Sequence, residues 1–305
     1  LAGARLISSA SMKLENIGLV LEGGGMRGAY TAGVLDYLMQ QDVRFPYVIG
    51  VSAGANNGAD YVAGQRDRNK RVFVDLVEDE RYCGFKNLIR DGSYFDMDFL
   101  FKKLPHDLAP FDYKTFGKSD ITFKVVVTNS ETGKTEYFSK DDFDTRFFAE
   151  EILKASSSIP VLSKPVEIDG EYYFDGGATD PIPLEKAMED GYENNVLILT
   201  KHESFRLEKS RRRNIIIRLL LRDYPKLVEK LKERYKIYNI CIEWINRLEE
   251  EGKVFIFRPQ ERTDIGSLDH DKEKLKELYE EGKRETKERF AEFKKWVKKQ
   301  QLTKV

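Results

Sequence analysis

Cysteine is scarce in this chain, histidine is nearly absent, and no apolar run is long. Of 305 residues, two are cysteine and three are histidine. Cys83 and Cys241 stand far apart and outside any metal-ligand spacing. This argues against a disulfide framework and for a reducing, cytoplasmic compartment. No stretch approaches the ~20 apolar residues that span a bilayer; the longest candidate, IIIRLLL at 215–221, is interrupted by Arg218. Charge shows no bias, with 51 Lys+Arg against 52 Asp+Glu. The basic excess of a nucleic-acid footprint is missing, so no nucleic-acid partner is expected. No ligand cluster demands a metal, and no cofactor is expected. The opening LAGARLISSAS lacks the apolar core of a secretion signal; residues 1–12 are read as a leader or as added sequence and set aside.

What is there is an alternation. IGLVL (17–21) is a continuous apolar run, as in a strand buried on both faces. A glycine cluster follows, then AYTAGVLDYLMQQ, with Ala29, Ala32, Val34, Leu35 and Leu38 at helical spacing. YVIGV (47–51) is a second run, and the small-residue stretch SAGANNGADYVAG comes after it. Strand, helix, strand, helix implies a mostly parallel central sheet flanked by helices. DRNKRVFVDLVEDER and RFFAEEILKA (146–155) read as helices, and ITFKVVVTN (121–129), KTEYFS (134–139) and NVLILT (195–200) as strands. PVEIDGEYYFDGG (165–177) reads as a hairpin turning at Asp169–Gly170. From about residue 205 charged helical patterns take over, interrupted by VFIF (254–257), which is expected to return to the sheet. The chain thus divides into a core of 13–204 and a helical C-terminal region, 205–305, packed on it or extending from it.

The chemistry centres on GVSAG (50–54). A serine hydroxyl is a weak nucleophile and needs a positioned base. A sharp strand-to-helix turn holds it clear of the backbone and tolerates only small flanking residues, which Gly50 and Gly54 supply around Ser52. An ordinary glycine-rich turn is the plainer alternative. EGGGMRG (22–28) matches the dinucleotide pattern through Gly23, Gly25 and Gly28. That reading requires an acidic residue at the end of the next strand, where GVSAG has none. The other reading is an oxyanion hole: Gly23, Gly24 and Gly25 let backbone N–H groups converge on developing negative charge. Arg27 either adds positive charge there or braces the loop by a salt bridge. Loops after neighbouring parallel strands share one edge, so the triglycine and Ser52 are expected to face one crevice. Third is FDGGATDPIP (174–183): Asp175 ends a strand, and Gly176 and Gly177 leave room beside it. Asp175 is a candidate to accept the Ser52 proton directly, helped if burial raises its pKa.

The order EGGGMRG, GVSAG, ASSSIP (155–160), DGG resembles the patatin-like phospholipase family, and TNSETGKTEYFS (128–139) is similar to the strand pair such proteins carry between elbow and aspartate. The likeness covers roughly residues 17 to 200. It departs at Glu22, where the family often has Asp, a change that leaves backbone chemistry untouched. The resemblance implies a three-layer α/β/α fold and a lipid acyl hydrolase working through a Ser52–Asp175 dyad without histidine, by way of an acyl-enzyme. It implies an oxyanion hole at Gly23, Gly24 and Gly25, with Arg27, Gly28, Gly50, Gly54, Gly176, Gly177 and Pro160 in support and no chemistry for Ser156, Ser157 or Ser158. The substrate is then a lipid or fatty-acyl ester. The C-terminal region, including RPQERTDIGSLDHDKEKLKELYEEGK, resembles the helical extension of one bacterial subgroup and implies no activity.

Two rivals remain. An α/β-hydrolase triad would use Ser52, Asp175 and His202 in that chain order, although the elbow comes early for that fold. A non-catalytic lipid-binding adaptor would keep the core without the reaction. His106 and His270 lie in polar, loop-like stretches. RRRNIIIRLLLRDYPKLVEKLKERYKIYNI is preferred here as an amphipathic helix packed on the core; peripheral contact with an anionic membrane is the alternative.

Overall fold

The computed structural model describes residues 12–302. The expected leader lies outside the described residues except for Met12, which already pairs with Val43. The apolar runs become strands: β1, Ile17–Leu21; β2, Tyr47–Val51; β3, Thr122–Asn129; β4, Thr135–Ser139; β5, Val166–Ile168; β6, Glu171–Asp175; β7, Asn194–Ile198; β8, Val254–Phe257. The hydrogen-bonded neighbours run β8-β7-β1-β2-β3-β6-β5, and β4 pairs with β3 off that path. From β8 to β3 all neighbours are parallel. β4, β5 and β6 pair antiparallel, so the sheet is mixed. The β5–β6 turn has positive φ at both Asp169 and Gly170, the requirement of a tight type I′ hairpin.

Strand alternation sends side chains to two cores. Leu19, Leu21, Val48, Phe123, Val125, Val196, Phe255 and Phe257 meet one cluster, with the helices α1, Gly28–Gln40, and α2, Ala53–Val62. Val20, Ile49, Val51, Val126, Leu197, Val254 and Ile256 meet the other, with α3, Leu184–Glu189. After residue 204 come α4, Arg211–Leu220; α5, Pro225–Glu250; and α6, Lys272–Leu302. α5 covers the second face through Tyr238, Ile242, Ile245 and Leu248. α6 covers the first through Leu275, Leu278, Tyr279 and Phe293. Residues after 204 thus supply an edge strand and one helix to each face, completing three layers.

Sequence and structure part in three places. Residues 67–81 begin as a helix but end in turns, and His106 sits in a helical segment, Phe99–Leu108, rather than a loop. On α4, the helix-on-core reading accounts for only part of the apolar side chains. Ile217 and Leu221 pack with Phe174, Leu227, Val228 and Leu231. Ile215, Ile216, Leu219 and Leu220 stay 50–68% exposed.

α1 and α6 cross at near backbone contact. A Cβ on Gly33 would stand 2.0 Å from the Tyr279 carbonyl oxygen, and one on Gly282 would stand 2.4 Å from that of Tyr30. Buried polar pairs fix the crossing: the Tyr279 hydroxyl donates to Asp36 at 2.9 Å and the Tyr30 hydroxyl to Glu285 at 2.8 Å. Gly33→Ala must push the helices apart, and overpacking of this kind costs about 1–3 kcal/mol. Urea unfolding is expected to show that loss; an unchanged midpoint would mean the close crossing is not required.

Candidate active site

β3 brings the site together through its hydrogen-bond register. Its residues Lys124–Thr128 pair with β4. The opposite edge must therefore serve two strands: Val126 is the partner of Val51 in parallel β2, and Val127 is the partner of Asp175 in antiparallel β6. β2 and β6 run towards each other along that edge and stop at adjacent β3 positions. β2 ends at Val51 and β6 at Asp175, so Ser52, the next residue after Val51, and Asp175 are brought to neighbouring positions.

Ser52 joins β2 to α2 with φ 56° and ψ −126°, a strained backbone for a non-glycine residue. Its elbow leaves no space on either side. A Cβ at Gly50 would lie 2.8 Å from the Gly54 carbonyl, and one at Gly54 would lie 2.5 Å from the Leu21 carbonyl oxygen. The elbow is tied down by Ser156, whose Oγ accepts from the Ser52 N–H at 2.9 Å and donates to the Val126 carbonyl at 2.7 Å. Asp175 is tied by the same segment, its N–H donating to the Ser158 carbonyl at 2.9 Å. Pro160 occupies the second position of the turn that ends this segment, closed by Leu162 N–H to the Ile159 carbonyl at 3.0 Å, with Val161 at φ 78°.

Both side chains are buried. Burial pushes the Asp175 carboxyl up to about 6; a hydrogen bond with the Ser52 side chain, the Gly177 N–H and the charge of Arg234 pull the other way. The Gly177 N–H donates to Asp175 Oδ1 at 2.7 Å, and the Arg234 Nε donates to the Gly177 carbonyl. Gly176 presses on β3, since a Cβ there would come 2.4 Å from the Val126 carbonyl oxygen.

The glycine loop lies alongside. A Cβ on Gly23 would sit 3.3 Å from the Ser52 Cβ. The Gly23 N–H is engaged by the Pro181 carbonyl at 3.3 Å, whereas no partner among the described residues takes the amides of Gly24 and Gly25. The triglycine thus offers two open donors rather than three. Gly25 has φ 56°, and the Ser267 carbonyl oxygen would be 2.2 Å from a Cβ there. Gly28 packs against Ala53 at the start of α2. Arg27 makes no salt bridge among the described residues; it donates to the Ile265 carbonyl at 3.4 Å. Behind the loop, buried Glu22 accepts from Thr200 N–H, Lys201 Nζ and Tyr238 hydroxyl. Burial raises its pKa, but Lys201 outweighs that and holds it below the usual range, while burial brings the Lys201 amine down to about 8.

An apolar pocket of about 860 Å³, counting its open mouth, leads away from Ser52. Gly25, Met26, Ser52 and Ala53 lie on it with Phe73, Phe95, Met97, Leu100, Phe101, Leu104 and Phe111. His202 is not part of this constellation: its Nδ1 faces the Ser204 Oγ at 2.8 Å. The sequence reading missed the wall residues of 95–111, the bridging role of Ser156, and Arg234. Aromatic density in 95–116 was the available signal for the wall; a bridging hydroxyl and a distant arginine leave none.

A family model described as patatin-like phospholipase matches residues 19–188, and one described as a domain of unknown function (DUF6363) matches 224–298. The uncharacterized protein YjjU of Escherichia coli (strain K12) is 29% identical over 195 residues, 60% of this chain and 52% of its own. Lysophospholipase nte1 of Aspergillus terreus is 28% identical over 181 residues, 56% of this chain and 11% of its own. The probable lipid hydrolase 463L of Invertebrate iridescent virus 6 is 23% identical over 248 residues, 75% of this chain and 77% of its own. The chain spans about half the length of YjjU and a small part of nte1.

A carboxyl raised by burial favours the folded state only while protonated. From 3.8 to about 6, the Asp175 shift costs about 3 kcal/mol once both states are ionised. This contribution is full below pH ~4 and lost as pH rises through about 6. Asp60 and Asp180, also raised to about 6, titrate in wild type and variant alike. Asp175→Asn should therefore gain stability relative to wild type by up to about 3 kcal/mol between pH 4 and 7. Urea unfolding across that range checks it; a constant difference would contradict the buried carboxyl.

Proposed function

This chain belongs to the patatin-like phospholipase family, and on that premise we propose that it hydrolyses lipid acyl esters with Ser52 as nucleophile and Asp175 as its base. What supports the reading is that Ser52, on the wall of an apolar pocket, and Asp175 are both buried where β2 and β6 stop at adjacent β3 positions, with the Ser52 side chain acting on the Asp175 carboxyl. The acyl chain lies in the pocket with its ester carbonyl at Ser52. Asp175 takes the hydroxyl proton as Oγ bonds to the carbonyl carbon, and the carbonyl π electrons move onto oxygen. The amides of Gly24 and Gly25 receive that oxyanion; donors of this kind contribute roughly 3–4 kcal/mol to the transition state. Collapse expels the alcohol, protonated by Asp175, and leaves an acyl-Ser52 ester. Water, deprotonated by Asp175, then releases the fatty acid and restores the serine. A carboxyl near 6 is a stronger base than an exposed aspartate yet mostly ionised at neutral pH. We assign the hydrolase core to residues 13–204 and, from the scarcity of cysteine, a reducing compartment to the protein.

Ser52→Ala and Asp175→Asn are each expected to lower kcat/KM on a chromogenic ester by about 10³-fold or more, and Ser52→Ala to abolish labelling by a fluorophosphonate probe. His202→Ala should keep most activity; a loss matching Ser52→Ala would favour the triad, and an unlabelled Ser52 in folded wild type would favour the adaptor. The wild-type kcat/KM should rise through a midpoint near pH 6, because only the ionised Asp175 accepts the proton. A flat profile from pH 5 to 7 would count against Asp175 as base.

The second part of the proposal is a membrane contact at α4. Among the described residues no helix is long and apolar enough to cross a membrane. α4 instead exposes Ile215, Ile216, Leu219 and Leu220 among exposed Arg211, Arg212, Arg218 and Arg222. Each arginine near an anionic surface adds about 1 kcal/mol, and the apolar side chains add burial in the acyl boundary. Ile216→Asp with Leu219→Asp should reduce flotation with vesicles containing phosphatidylserine, and wild type should float less with neutral vesicles. Equal flotation in all cases would remove the contact.

A further inference from the structure

One ion pair stands on the wall of an otherwise uncharged pocket. Asp60 and Arg68 line the cavity that leads away from Ser52, and among the described residues they are its charged members. The arginine is held on three sides. Its Nη1 donates to Asp60 Oδ1 at 2.6 Å, its Nε donates to the Ala109 carbonyl at 2.9 Å, and its guanidinium lies over the Phe111 ring, 5.1 Å from the centroid. Asp60 is left incomplete. Its second oxygen, Oδ2, is enclosed and has no hydrogen-bond partner among the described residues. The residue is 1% exposed, and burial holds its carboxyl up at about 6 although Arg68 pulls it down. An enclosed carboxylate oxygen without a donor costs free energy. A wall serving unsubstituted acyl chains alone would be at least as stable with apolar side chains in place of the pair.

The position of Asp60 relates it to the reaction. α2 begins immediately after Ser52, and Ser52, Asn56, Ala59 and Asp60 all lie on the pocket, as residues of one helix face do. The pocket therefore runs along α2. Asp60 is eight residues beyond Ser52, a rise of about 12 Å. An extended acyl chain, with carbon–carbon bonds of about 1.5 Å, covers that distance in about ten carbons. The χ2 torsion of aspartate is broad, so a small rotation turns Oδ2 towards a group on the chain. That group must donate a hydrogen bond. It must be small, because the pocket wall is packed around it, and uncharged, because Arg68 already balances Asp60. A hydroxyl meets all three conditions.

We propose that Asp60 is a specificity residue of the acyl pocket, accepting a hydrogen bond from a hydroxyl in the middle of the acyl chain, so that the preferred substrates are esters of mid-chain hydroxy fatty acids. The proposal rests on the lipid hydrolase reading above and narrows its acyl group. Arg68 is a positioning residue: it fixes Oδ1 and leaves Oδ2 to the substrate. An unsubstituted chain in the same place leaves Oδ2 without a donor, and a site built to bond a substrate hydroxyl discriminates against the analogue that lacks it.

The test measures kcat/KM on chromogenic esters of one acyl length: unsubstituted, hydroxylated beside the ester, hydroxylated at roughly the tenth carbon, and hydroxylated at the chain end. Wild type should favour the mid-chain hydroxyl over the unsubstituted chain by about tenfold or more, the scale of a hydrogen bond to a charged group, and should favour neither other position as much. In Asp60→Leu, checked for folding by its urea midpoint, that ratio should fall to about one. Asp60→Asn, which retains a carbonyl oxygen, should keep part of it. A merely structural Asp60 would lower all the rates together and leave their ratios unchanged. Hydrolysis of the unsubstituted ester by wild type without a mid-chain preference would overturn the proposal and leave the hydrolase reading standing; so would a preference that survives in Asp60→Leu. Should wild type hydrolyse none of the esters, the hydrolase reading fails, and calorimetric binding of the free mid-chain hydroxy acid against the unsubstituted acid decides the subsite, equal affinities overturning it. If Asp60→Leu does not fold because Arg68 is left unpaired, Asp60→Leu combined with Arg68→Leu removes both charges and gives the same readouts.

Discussion

One edge of β3 carries two strands that approach from opposite directions, and the candidate site depends on that arrangement. A strand edge offers a fixed series of backbone groups, so the residues at which β2 and β6 stop are set by hydrogen-bond register. β2 reaches Val126 and β6 reaches Val127. The gap between the stops is what Ser52 and Gly176 fill, one with a strained elbow, the other pressed against the Val126 carbonyl. Ser156 bonds that same carbonyl and the Ser52 amide. The β3 backbone at Val126 thus anchors the elbow, the aspartate turn and the segment that supports both. A shift of one residue in either pairing would move Ser52 or Asp175 by about 3.3 Å along the strand, beyond the reach of a hydrogen bond.

Burial then sets the chemistry. Asp175 is enclosed, and its carboxyl is raised by that enclosure more than its hydrogen bonds and Arg234 lower it. Glu22, enclosed as completely, is brought the other way by Lys201. Two buried carboxylates thus diverge according to their neighbours: Asp175 has a hydroxyl and an amide, Glu22 a cation in direct contact. The first arrangement suits proton transfer and the second suits bracing. The stability given up at Asp175 is the kind of local cost that a reactive site imposes on a fold.

The strands were legible because they are short, apolar and punctuated. Ile17–Leu21, Tyr47–Val51 and Val254–Phe257 have the bounds their residues imply. The turns that hold Ser52 and Asp175 were legible as pieces, each a small-residue turn at a strand end. What the residues do not carry is contact between segments far apart in sequence. Nothing in GGG distinguishes Gly23, whose amide is taken by the Pro181 carbonyl, from Gly24 and Gly25. Nothing in ASSSIP marks Ser156 as the hydroxyl that bridges two strands. Residues 95–111 are rich in aromatics without a clean period, since they wrap a cavity instead of lying on a sheet. On α4, period and composition are those of a packed helix; only the limited size of the Phe174–Leu231 cluster beneath it leaves four large side chains outside.

The C-terminal region is bound to the site at separate points, and each point holds a backbone element used by the proposed reaction. The Ser267 carbonyl accepts from Met26 N–H at 3.1 Å and lies against Gly25. Arg234 holds the Gly177 carbonyl, and Gly177 in turn donates to Asp175. Tyr238 reaches Glu22 at the base of the glycine loop. These are hydrogen bonds to loops, which keep definite positions only when something outside them restrains them. The restraint comes from a strand at the edge of the sheet and helices on both of its faces, which belong to the same packed core. The family model matched at 19–188 covers the groups proposed for the bond-making steps. The part that fixes two of the loops around them comes from the rest of the chain. Division of the sequence into a hydrolase and an appendage therefore does not correspond to a division of the site.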